Sequence, residues 1–141
     1  MTTRLVRLIR AAQAKAMPKT GKRRLPAGPS TLEIDLWTQL QLAGLTADAQ
    51  TEYQALPGRR YRWDVGWASQ RLLVEVQGGI WAKGGHSSGV GLTRDIEKLN
   101  SAVLAGWRVL AVTACHIKSG QALIWIQEAL AQKCLLTKGG L

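Results

Sequence analysis

The chain has 141 residues, 46% of them hydrophobic, a length and balance that suit one domain with a real core, and it carries nineteen Lys and Arg against nine Asp and Glu, a net charge of +10. No apolar run approaches the ~20 residues of a membrane span, no secretory signal is present, and two distant cysteines make neither a zinc pattern nor a disulfide framework. Cys115 and Cys134 are expected as small core residues in a reducing, cytoplasmic compartment.

The charge is concentrated at the start. Arg4, Arg7, Arg10, Lys15, Lys19, Lys22, Arg23 and Arg24 precede residue 30 with no acid among them, leaving eleven cations against nine acids in the rest. Residues 1–29 therefore read as a basic N-terminal arm and linker, and 30–141 as the domain. Within the arm, residues 3–17 can form an amphipathic helix with Leu5, Leu8, Ile9 and Ala12 on one side, and 18–29 is rich in Gly, Pro and Lys. A DNA-binding arm, a dimerisation or partner helix, and an organellar transit peptide are the three readings, the first favoured because such a field binds phosphates without sequence preference.

The first element of the domain starts at Ser30. Ser30-x-x-Glu33 after Pro29 is a capping box, and Glu33 shares a helical face with Leu36, Trp37 and Leu40, so it is placed both to cap the helix and to reach a site beside the sheet. Residues 51–56 suit an edge strand. Stretch 60–67 then alternates Tyr61, Trp63, Val65 and Trp67 on one side with Arg62, Asp64 and Gly66 on the other. If Ala68 to Arg71 is the turn, Trp67 faces Leu72, Val65 faces Val74, Gln77 faces Arg62, and Asp64 faces Glu75 inside the apolar run Leu72-Leu73-Val74-Glu75-Val76. Two carboxylates so placed repel unless a cation lies between them.

A glycine-rich stretch, 78–91, follows and cannot be a regular element; Lys83 is available there for phosphate, Trp81 for a base or sugar, and His86 for proton transfer, metal or simple exposure. Residues 91–105 form the next expected helix, with a core stripe of Leu92, Ile96, Leu99 and Val103 and with Asp95 and Lys98 bordering a cleft. Arg108 to Thr113 reads as a buried strand and 119–132 as a helix capped by Ser119. Among six tryptophans, Trp63, Trp107 and Trp125 look like core, and Trp67 and Trp81 exposed enough to stack on nucleic acid. The order helix, antiparallel strands, helix, strand, helix makes an α/β layered domain with a mixed sheet.

Asp64, Glu75-Val76-Gln77-Gly78, Asp95 to Lys98 and Gly106-Trp107-Arg108-Val109 together resemble the PD-(D/E)XK nuclease superfamily, in the branch of very-short-patch-repair-like and phage endonucleases, over about residues 30–132. The resemblance implies a restriction-endonuclease-like three-layer core and a Mg²⁺-dependent DNA endonuclease, with Mn²⁺ able to substitute. Asp64, Glu75 and the main-chain carbonyl of Val76 would be the metal ligands. The superfamily lysine two residues after the Glu is Gln77 here, which can hydrogen-bond water but cannot act as its base; Lys98 offers an ammonium from the following helix. Glu33 and Asp95 are further candidate acids, and Arg4, Arg7, Arg10, Lys22, Arg23, Arg24, Arg62, Lys83 and His86 candidate DNA contacts. Branched or junction DNA is the substrate expected by analogy, and a homodimer would let two sites cut both strands. The alternative is a non-catalytic nucleic-acid-binding protein on a nuclease-derived fold.

Overall fold

The computed structural model describes residues 28–77 and 89–132. Helix α1 (Thr31–Leu42) begins with the expected capping box: Ser30 Oγ accepts from the Glu33 amide at 3.3 Å and the Ser30 amide donates to Glu33 Oε2 at 3.3 Å. Strands β1 (Ala49–Tyr53), β2 (Trp63–Trp67) and β3 (Leu72–Gln77) follow, then α2 (Gly89–Leu104), β4 (Arg108–Thr113), α3 (Ala114–Ser119) and α4 (Gln121–Ala131). The four strands form one mixed sheet in the order β1-β2-β3-β4, antiparallel except for the β3–β4 pair, which α2 joins by a crossover.

The hairpin forms in the register expected of it. Val65 pairs with Val74 and Trp67 with Leu72 around a turn closed by a hydrogen bond from the Arg71 amide to the Ala68 carbonyl, with Arg71 in the left-handed region. Pairing ends at Val65 and Val74, so neither Asp64 and Glu75 nor Arg62 and Gln77 come opposite each other in the ladder, and the two expected metal ligands enter different arrangements. Beyond that point β3 is supported by its other neighbour, along the whole of Leu72 to Gln77.

Helices cover both faces. On one, Leu36 and Leu40 of α1, Ile117 of α3 and Ala122 and Ile126 of α4 pack on Val65, Trp67, Leu72, Val74 and Val112. On the other, Ala102 of α2 and Leu56 pack on Trp63 and Leu73. Regular alternation would put Trp63 on the Val65 side, and the structure does the opposite. The break coincides with Glu52, opposite Asp64 in the β1–β2 register and held at φ +51°, a region that non-glycine residues occupy only at a cost of order 1–3 kcal/mol. Either side of it, Thr51 pairs with Val65 and Tyr53 with Trp63, and both aromatic rings turn to the α2 face.

The folded structure changes several expectations. Trp67 is buried, its indole N–H donating to the Leu45 carbonyl at 2.9 Å, and so is not free to stack on nucleic acid. The helix foreseen over 119–132 is α4, beginning at Gln121; the short α3 before it was not foreseen, and Gly120 at φ +83° separates the two and takes the cap position expected of Ser119. Cys115 is exposed rather than core. In β4 only Val112 is buried, since the strand lies at the sheet edge. Leu92, Ile96, Leu99 and Val103 are exposed, and Ala102 is the buried residue of α2, because the helix lies on the sheet through a different side. The edge strand is set slightly earlier, at Ala49–Tyr53. Cys134, Trp81, Lys83 and His86 lie outside the described residues, as do Arg4, Arg7, Arg10, Lys22, Arg23 and Arg24.

Gly66 is tied to this arrangement. A Cβ there would fall against Tyr53 Cδ1 and within 2.6 Å of Cγ, on the aromatic ring that the Glu52 distortion turns inward. Gly66→Ala is expected to cost about 1–3 kcal/mol, as overpacked cores do, read as a lower denaturation midpoint at unchanged slope.

Candidate functional site

Asp64 stands where β2 and β3 stop pairing. Its Oδ2 accepts the Val76 amide at 2.7 Å, so the carboxylate fills the gap that the diverging strands leave. Glu52 reaches the same place from the edge strand and Glu33 from the first turn of α1, and one carboxylate oxygen of each of the three lies within 4.8 Å of the others. Two oxygens on one Mg²⁺ or Ca²⁺ are separated by at most twice the ligand distance, about 4–5 Å, so the three acids suit a single hard cation in size and in chemistry. A groove of about 470 Å³ opens over them, with Pro29, Trp37 and Val65 among its lining residues.

Glu75 belongs to a second arrangement. Both its oxygens accept from Lys98 Nζ, at 2.9 and 2.8 Å, and the ammonium also donates to the Arg62 carbonyl and lies 4.9 Å from the centre of the Trp63 ring. A cavity of about 140 Å³ beside the pair is lined by Glu75, Gln77, Asp95, Lys98, Trp63 and Leu99, among others. The structure thus brings together Glu75, Gln77, Asp95 and Lys98 on one side, and Asp64, Glu33 and Glu52 on the other. Val76 joins the two through its amide, and Arg62 is exposed, contributing its carbonyl.

Burial dominates the electrostatics of both central acids. Asp64 is held above the usual Asp range chiefly by desolvation, which the Val76 hydrogen bond opposes and the charges of Glu33 and Glu52 reinforce. Glu75 is raised by desolvation too, against the hydrogen bond and charge of Lys98, with Asp64 and Asp95 adding to the rise. Raised carboxyl groups favour folding while protonated, and that contribution is lost as pH climbs through their folded-state values. A divalent cation would restore it.

Glu52 is the residue that sequence reasoning missed. Its signal was available in the sum rule of antiparallel pairing: once Thr51 is matched with Val65, Glu52 falls opposite Asp64. No known family model and no curated protein matches this chain. Among the described residues no helix is long and apolar enough to cross a membrane.

Two outcomes follow from the local physics. Asp64→Asn keeps an acceptor for the Val76 amide and removes the buried charge, so it should raise the melting temperature at pH 7, with the gain shrinking toward pH 3 as the wild-type acid is protonated; a gain that persists unchanged at low pH would contradict the assignment. Lys98→Met leaves the largely buried Glu75 carboxylate without its donor and should cost about 1–3 kcal/mol in chemical denaturation, most of it recovered by adding Glu75→Gln.

Proposed function

We propose that the chain is a metal-dependent DNA endonuclease, hydrolysing phosphodiester bonds at the end of β2 and β3. The observation that carries this reading is the convergence of Glu33, Glu52 and Asp64 at the size of one cation, one strand away from a lysine-bearing cavity. Carboxylate oxygens are the donors that hard divalent ions take, and such an ion, when bound, neutralises phosphoryl charge and makes its water a nucleophile at neutral pH. Asp64 is the ligand with the fixed position, since the Val76 amide donates to its Oδ2. Glu33 is likewise held, its oxygens engaged by the Ser30 amide and hydroxyl.

Lys98 is the cation whose charge reaches Asp64, and this reading gives it the role of meeting the phosphate. Held on Glu75 and over Trp63, it is a point charge in a partly dry cavity, positioned to meet a phosphate oxygen or to orient water, with the Gln77 amide beside it. The excess positive charge before residue 30 supplies sequence-independent affinity with a steep salt dependence.

The reading is tested by incubating supercoiled plasmid, linear duplex and a four-way junction with the protein in Mg²⁺, Mn²⁺ or EDTA. Cleavage is expected with either metal and not in EDTA, falling at least a hundredfold in Asp64→Asn and in Glu75→Gln. Mn²⁺ should also raise the melting temperature of the wild type and not that of Asp64→Asn. DNA binding without cutting under every metal condition, and without metal stabilisation, would instead establish the non-catalytic reading.

A further inference from the structure

Helix α2 carries an apolar seam that its own sheet leaves largely open: Ile96 and Leu99 edge the cavity beside Glu75 and Lys98, yet all four side chains keep two fifths or more of their surface exposed. Leu92, Ile96, Leu99 and Val103 follow one another at steps of four, three and four, the spacing of core positions in a coiled coil, and they remain 54%, 47%, 42% and 54% exposed. The helix is attached through another side: Ala102 is buried with Trp63 and Leu73, and Lys98 reaches Glu75. At 100° per residue those two positions lie roughly a quarter to a third of a turn away from the seam, so docking on the sheet and covering the seam are separate events.

We propose that the seam is a self-association face, on which a second copy of this chain pairs its own α2 in antiparallel orientation about a twofold axis. The four, three, four spacing reads the same from either end, so a twofold puts Leu92 opposite Val103 and Ile96 opposite Leu99 in the partner, a self-complementary match. The flanking positions Thr93 and Asn100 would meet each other, placing no like charges together. The four side chains expose roughly 350 Å² of surface, within the range of the largest apolar patch on a monomer, which is often a functional one. Two such patches amount to about 700 Å², below the roughly 1,200 Å² at which stable specific interfaces begin. The dimer is therefore weak and concentration-dependent, and it sets the two Glu75–Lys98 cavities on either side of one helix pair.

Sedimentation velocity of the full chain from low micromolar to near-millimolar concentration tests this. The wild type should move from monomer toward twice the mass, and Leu92→Glu and Val103→Glu should each stay monomeric with unchanged melting temperatures. In a Cys115→Ser, Cys134→Ser background, Leu92→Cys with Val103→Cys should form a disulfide dimer on oxidation and Leu92→Cys alone should not. A wild type monomeric throughout overturns the proposal. So does a loss of thermal stability in the Glu variants of a monomer, which would mean that other residues of the same chain cover the seam. Cross-linking of Leu92→Cys with itself overturns the antiparallel pairing.

Discussion

The hydrogen bond from the Val76 amide to Asp64 lies where the β2–β3 ladder ends, and the distribution of charge over both faces depends on it. A strand leaving its partner must find acceptors for the amides it frees. Here a carboxylate does so, which brings a charge into a half-buried place and holds it there. Across β2, the left-handed Glu52 turns Tyr53 and Trp63 to the α2 side and lets its own carboxylate join that of Asp64. The bend that re-aims two aromatic rings is also what gathers the acids.

The two central acids are neutralised differently. Glu75 has an internal partner, Lys98, reached from the crossover helix and steadied by the Trp63 ring and the Arg62 carbonyl. Asp64 has the Val76 amide in contact and two further acids near it, with the Lys98 charge acting from further off. Desolvation and like charge both act against its ionised form, which is the electrostatic situation that a bound cation relieves. A common frame, two strands joined in a tight hairpin, therefore presents one carboxylate in direct contact with a cation and one acidic cluster held by neutral donors and reached by the Lys98 charge only from a distance.

The crossover helix shows how little of its apolar surface a helix needs in order to dock. Ala102 and Lys98 attach α2 to the sheet, while the larger side chains Leu92, Ile96, Leu99 and Val103 stay exposed, Ile96 and Leu99 at the rim of the Glu75–Lys98 cavity. Periodicity identifies an apolar stripe but not what the stripe packs against, so a core stripe and an interface seam are written alike.

Local chemistry is the part of this protein that its sequence determined. The Ser30 capping box, the hairpin register around Ala68 to Arg71 and the element order of an α/β sheet all depend on near neighbours or on strict alternation, and all were legible. What only the tertiary structure decided depends on residues far apart in the chain. Trp67 is buried because Leu45, in the loop after α1, accepts its indole N–H; Glu52 joins Asp64 because the backbone there takes a positive φ; and Lys98 takes Glu75 because α2 returns across β3. Alternation supplies a side for each residue only while the strand stays regular, and the candidate site is where it does not.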